Sequence, residues 1–308
     1  MAILLTIFGL ALFEIINSVD NAVINAEVLA KMGQRARRWF LLWGILFAVF
    51  LVRGLLPWLI IWLTSPDLSL WQAFVATLSS SPEIHSLIEE SAPPLLVGAG
   101  VFLVFLFLHW LFLEDKTYGL IGERFIHRHG LWFYTTASVA LTAVVWLSIK
   151  VNPIMALGAV IGSTGFFMVH GFKENAEVAE RQMLSGKEHF SDWSKILYLE
   201  AIDACFSIDG VLGAFAFTLS VPLILIGNGI GAIVVRQLTI GNIERVKKFL
   251  FLKNGAMYSI LCLGLIMIAD SFGVHIPAWL SPLATFTIIG WFFWKSYKTV
   301  AKLPVSLT

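Results

Sequence analysis

Runs of about 20 predominantly apolar residues recur along almost the whole chain, and each is long enough to cross a hydrocarbon core about 30 Å thick as a helix. Nine such segments are predicted, over 2–30, 39–63, 95–113, 131–149, 151–172, 196–219, 221–240, 255–274 and 276–294. The first is preceded by no basic residue and exceeds a signal-peptide apolar core, so it is expected to remain as a helix. Gly130 and the breaks near Pro153, Pro222 and Pro277 mark expected helix ends. The polar stretch from Phe172 to Trp193, with charges of both signs at helical spacing, reads as a solvated helix or a plain connector.

Composition supports the same class. Of 308 residues, 58% are hydrophobic and 13% charged, where a soluble domain carries about 25% charged residues. The expected fold is an all-α polytopic membrane protein of about nine transmembrane helices. Its net charge of +1 offers no footprint for nucleic acid. Cys205 and Cys262 lie in apolar runs with no metal or redox spacing and are read as packing residues.

Basic residues order the loops. Eighteen of the 21 Lys and Arg residues fall on one side of the nine-span arrangement, with Lys150 alone opposite and Arg53 and Arg236 within spans. Cytoplasmic loops hold the excess of Lys and Arg, so the N-terminus is expected outside and the C-terminus inside. The segment Thr64–Pro94, with Asp67, Glu83, Glu89 and Glu90 and no Lys or Arg, is the expected long outer loop.

Few charges remain inside the spans, and they fall in two similar places. The first span carries Glu14, Asn17, Ser18, Asp20 and Asn21; the sixth carries Glu200, Asp203, Ser207 and Asp209. Each set contains Ser-x-Asp, and in each case the following span carries a lone arginine, Arg53 or Arg236. The second set begins five spans after the first, an odd number, so the two are expected to thread the bilayer in opposite directions. That makes an inverted internal repeat: residues 1–150 as the first half, 151–195 as the link and 196–308 as the second half. Such repeats place a substrate site near the midplane, where the halves meet.

Five carboxylates against two guanidiniums leave three negative charges that must be protonated or hold cations. The alternative is that the acids pair with Arg53 and Arg236 and only lock helices together. Both arginines are read as counter-ions or gating residues, and Arg236 lies close enough to its span end to snorkel. Asp209 follows Glu200 by nine residues and points about 180° away on an ideal helix. The two share a site only if the sixth span kinks, for which Ser207, Gly210 and Gly213 are the expected place. A carboxylate, amide and hydroxyl set selects hard cations such as Mn2+, Mg2+ or Ca2+. His109 and His170 are read as packing residues, and Glu27 and Asp270 as interfacial ones.

At these residues the chain resembles the TerC-like integral membrane family, in the wider LysE-type exporter group. The likeness rests on Glu14-x5-Asp20-Asn21, on Trp43-Gly44-Ile45 through Arg53, and on Glu200-x2-Asp203-x5-Asp209. It continues through Leu252-Lys253-Asn254-Gly255 and Ile276-Pro277-Ala278-Trp279-Leu280-Ser281. It is closest to the branch of that family without an assigned function. The resemblance implies a bacterial inner-membrane protein with relatives linked to Mn2+ export or tellurium resistance. The leading expectation is a secondary exporter of a divalent cation, Mn2+ first, coupled to protons and needing no resident cofactor. Glu14, Asp20, Asn21, Glu200, Asp203 and Asp209 would hold the ion, with Asn17, Ser18 and Ser207 as neutral ligands. Two other readings stand beside it: a non-transporting membrane subunit of a metal-stress complex, and an intramembrane enzyme using paired carboxylates on a lipid-linked substrate.

Overall fold

The computed structural model describes residues 2–44, 47, 53–64, 69–78, 82–185, 191–241 and 249–300, and no strand occurs among them. In chain order the helices are α1 (Ala2–Asn17), α2 (Val19–Ala30) and α3 (Gln34–Trp39), which runs into a π-helical turn, Phe40–Gly44. Then come α4 (Arg53–Thr64), α5 (Leu70–Leu78), α6 (Pro82–Phe112), α7 (Glu123–His127), α8 (Trp132–Val151) and α9 (Pro153–Ser185). The chain continues through α10 (Asp192–Ala214), α11 (Val221–Gly241), α12 (Leu252–Ser271) and α13 (Leu280–Val300).

Among the described residues, five helices are long and apolar enough to cross a bilayer: Ala92–Phe112 within α6, Trp132–Val151, Pro153–Asn175 within α9, Val221–Leu238 within α11, and Leu252–Ser271. They make the chain a multi-pass membrane protein. The other four expected spans differ in kind. Segment 2–30 divides at Ser18 into α1 and α2, although the bonds from Ser18 N–H to Glu14 O and from Ala22 N–H to Ser18 O bridge the break. Segment 39–63 begins in the π-helical turn and resumes as α4. The sixth is one helix, but Glu200, Asp203 and Asp209 interrupt its apolar run. The last begins only at Leu280 and ends among lysines.

The segment expected as the outer loop carries helices of its own. Residues 70–78 form α5, and α6 opens at Pro82 and passes through Pro93 and Pro94. Proline is favoured at the first position of a helix, where its missing N–H costs nothing. The 31 residues of α6 extend about 46 Å, beyond the apolar core, so its acidic first third lies outside the apolar window. Likewise α9 carries the expected solvated helix as a direct continuation of a span, through Ser185. Residues 186–190, within the expected link, lie outside the described residues.

Burial ranks the spans. The Ala92–Phe112 window is 83% buried inside the protein, whereas Trp132–Val151 is 17% buried, so α6 is the central helix and α8 presents Val139, Trp146 and Ile149 outward. In a bilayer that outer face meets acyl chains. The principal packing partners of α6 are α12 and α9, and that of α1 is α11. The two expected halves therefore interlock.

Glycine makes the central contact close. A Cβ at Gly158 or Gly162 of α9 would run into the carbonyl of Pro94 or Gly98 of α6, and one at Gly100 would lie 2.8 Å from the carbonyl of Gly264 in α12. Without a hydrophobic drive between helices in lipid, such close backbone approach supplies the packing. Around it Phe166 takes Phe102 and Phe105 edge-on, at 6.0 and 5.8 Å between centroids.

Gly162→Val should therefore destabilise the protein by about 2 kcal/mol or more, because the atom it meets is backbone. Gly290→Ala, with nothing within 4 Å of its new methyl, should be neutral or slightly stabilising. Thermal unfolding of the two variants in detergent compares them.

Candidate functional site

α10 is held at its start by Ser191, whose side chain accepts from Ser194 N–H, and it runs unbroken to Ala214. The first segment lies along it in the opposite direction. Gly33 N–H donates to Asp192 Oδ2 at 3.1 Å, Asn25 Nδ2 donates to Asp203 Oδ1 at 3.1 Å, and the Glu14 carboxylate lies against Gly210. Contacts at 14, 25 and 33 thus meet 210, 203 and 192, the register of two antiparallel helices.

The glutamates pack reciprocally. The stem of Glu14, in the first half, presses on Gly231 of α11, where a Cβ would lie 2.6 Å from its own Cβ. Glu200, in the second half, directs its carboxylate onto Gly44 of the π-helical turn. Glu14 is 1% exposed, and its Oε1 accepts the Ser18 hydroxyl at 2.5 Å. Both oxygens of Glu200 are buried without a hydrogen-bond partner. An unsatisfied buried polar group demands an explanation, and a π-helical turn beside it is a frequent mark of a functional position.

The expected set does not share one point. α10 is continuous, and its three acids meet different neighbours: Glu200 meets Gly44, Asp203 meets α2, and Asp209 meets α9. Asp209 meets Lys173 Nζ at 2.6 Å, with both side chains buried, while Asp209 Oδ1 has no hydrogen-bond partner. Its cation is thus this lysine of the long α9. Arg236 forms no ion pair among the described residues, and its Nε is buried without a hydrogen-bond partner. Asn17 lies 3.9 Å from the Cβ position of Gly210, and Ser207 is fully buried. α2 carries Asp20 and Asn21 and α4 opens on Arg53, but their side chains lie outside the described residues. Among the described residues no three of His, Cys, Asp and Glu gather closely enough to hold a metal ion.

Two polar groups escaped the sequence reading. Asn228 of α11 is 0% exposed, and neither end of its amide has a hydrogen-bond partner. Its signal was a polar residue within Gly-Asn-Gly in an otherwise apolar span. The second is a charged cluster where α6 ends. His109 and His170 lie in contact with ring centroids 3.7 Å apart and their planes tilted by 53°, a separation at which two positive charges repel by about 4 kcal/mol at an effective dielectric of 20. His109 Nδ1 is 3.6 Å from Glu114 Oε1, His170 Nε2 is 3.5 Å from Glu174 Oε1, and Lys253 Nζ is 2.8 Å from Glu114 Oε2. The two histidines expected as separate packing residues form a pair.

Outside the spans, charge follows environment. Burial pushes the Glu114 carboxyl upward, but His109 and Lys253 outweigh it and hold it well below the usual carboxylate range. Lys116 caps α6 by donating to the carbonyls of Trp110 and Leu111 at 2.5 and 2.6 Å, groups that a helix end leaves open. Burial brings its ammonium down to about 8 despite Glu123 and Glu114 nearby. Glu123, 2% exposed, accepts from Gly119 N–H at 2.6 Å and from Tyr258 at 2.9 Å, which pins the segment before α7 to α12.

A multi-pass helical membrane protein with a polar seam between its first helices and α10 is what these observations define. By sequence it belongs to the DUF475 family, described as protein of unknown function, which matches residues 19–302. No curated protein and no solved structure matches the chain.

Lys173→Met should cost about 3 to 5 kcal/mol, because it leaves Asp209 buried and unpaired, and Lys173→Met with Asp209→Leu should recover most of that. Denaturation of both variants in one detergent measures it. The unfolded chain binds a proton at Lys116 that the folded protein has released between pH about 8 and 10.5, so stability should rise with pH across that window. Lys116→Met should flatten that part of the stability profile.

Proposed function

We propose that this protein is a secondary transporter that exports a divalent cation, Mn2+ foremost, across a bacterial inner membrane, with its N-terminus outside and its C-terminus in the cytoplasm. The observation that carries the reading is the antiparallel seam. There Glu14 packs on Gly210 and Gly231 and Asp203 bonds Asn25, so acids from both ends of the chain line one seam inside an apolar bundle.

Glu14, Ser18 and Asn25 recur at helical spacing, four and seven residues apart, and Glu200, Asp203, Ser207 and Gly210 form the stripe on α10. Such paired stripes fit nine spans built as an inverted repeat, with a site where the halves meet. Carboxylate, amide and hydroxyl oxygens suit a hard cation. Asp20 and Asn21 follow Glu14 on α2 and join the ligand set, and Asn228 adds a buried amide oxygen nearby on α11. The unpartnered Glu200 gives the cation its next carboxylate along α10. Metal binding needs deprotonated carboxylates and releases their protons, which couples export to a proton gradient. Likeness to the TerC-like family at these same residues supports the reading.

A second reading has one observation in its favour. Lys173 holds Asp209, as expected of a non-transporting membrane subunit whose buried charges serve only to fasten helices.

Vesicles containing the pure protein, tested with Mn2+, Ca2+ and Mg2+ with and without a pH gradient, separate the two. Glu14→Gln and Asp203→Asn should each lower Mn2+ flux tenfold or more with unchanged insertion, and Lys298→Ala should leave it unaltered. No flux of any of the three cations through the unaltered protein would favour the subunit reading.

A further inference from the structure

The contact between the two histidines is closer than ordinary packing requires. His109 comes from the last turn of the buried window of α6, and His170 from α9, one turn before Lys173. Their rings are enclosed by Phe133 of α8, edge-on to His109 at 5.5 Å, and by Phe166 of α9, parallel to His170 at 5.7 Å. Each ring turns one nitrogen to its own carboxylate: His109 Nδ1 to Glu114, and His170 Nε2 to Glu174. Glu114 is 30% exposed and already shared with Lys253, while Glu174 is 71% exposed.

We infer that His109 and His170 form a single-proton site, a pH-responsive joint between α6 and α9 at the lysine-bearing end of the bundle. Two facts make the proton single. Either ring can carry it, because each has a nitrogen within 3.6 Å of a carboxylate; both cannot, because their centroids are only 3.7 Å apart. The charged surroundings are balanced across the pair. Glu114 and Lys116 follow α6, Lys173 and Glu174 lie on α9, Asp209 on α10 and Lys253 on α12, and α8 contributes only Phe133. A proton taken from water reaches the pair on the side of the exposed Glu174. Charging the joint adds one positive charge a helical turn from the Lys173–Asp209 pair, which α9 carries against α10. The inference stands whether or not a cation is transported.

The test is histidine-selective NMR of the full chain in nanodiscs, titrated over about pH 5 to 8, the range in which imidazoles change charge. His109→Gln and His170→Gln assign the two signals among seven histidines. Both signals should move together with one midpoint. Potentiometric titration should show one proton fewer bound over that range by the His109→Gln/His170→Gln double variant than by the unaltered protein. Two protons taken up with separate midpoints, movement of one ring alone, or no movement of either would each overturn the assignment. The proton count compares folded samples only, established by the unfolding transition of each variant, and if the double variant fails to fold, co-movement of the two signals in the unaltered protein decides.

Discussion

An ionised side chain inside an apolar helix bundle must find a counter-charge, a set of donors or an ion, since leaving it bare costs several kcal/mol. That constraint organises this protein. Asp209 meets it with Lys173, Glu114 with Lys253 and His109, and Glu123 with Gly119, Asn254 and Tyr258. The pairings with Lys173, Lys253, Asn254 and Tyr258 tie elements that lie far apart in sequence, so the charges act as fasteners in a bundle whose apolar helices could otherwise slide in lipid. Glu200 is the exception, with both oxygens buried and no hydrogen bond. On the proposed reading, that exception is where a cation takes the place of a resident partner.

How closely the helices approach decides which partner an acid can reach. Gly158 and Gly162 let α9 lie on the carbonyls of α6, and Gly227 and Gly231 let α11 lie on α1 at Leu10 and Glu14. The same glycines therefore set both packing and electrostatics. A side chain at Gly231 would drive Glu14 off its seat, and one at Gly98 would part α6 from α9, whose next turns hold His170 and Lys173. Function and stability cannot be separated cleanly at such positions, which is why substitutions at the carboxylates themselves are more informative than substitutions at the glycines.

Much of this was legible in the chain. Apolar runs of bilayer length matched α8, α11, α12 and the apolar windows within α6 and α9 to within a few residues, because lipid imposes one strong requirement on composition. Segments carrying polar residues were harder. Ser18 interrupts the first helix, and Pro82, read as part of a loop, opens α6 instead. The acids of the seam were identified by their rarity, and the contacts at Glu14 and Asp203 connect the two places from which they were read. Their grouping was not legible, since spacing fixes a face on one helix but not which neighbour occupies that face. Lys173 counted as a loop residue until α9 proved continuous, and His109 and His170, 61 positions apart, gave no local sign of touching.

The unbroken α10 has a consequence for any ion path. A kinked helix would have brought Glu200 and Asp209 to one chelating point, whereas the continuous one sets its acids against three different neighbours over about 13 Å of axis. Tight chelation at a single point would hold a divalent ion against release, while a transporter must also let it go. On the proposed reading, carboxylates displayed in succession, each with a different neighbour, offer weaker holds in sequence: Glu200 at the π-helical turn, Asp203 with Asn25, and Glu14 with Ser18. Asp209, already satisfied by Lys173, then stands apart from that series and anchors α10 to α9, the helix through which the histidine pair would make its charge felt.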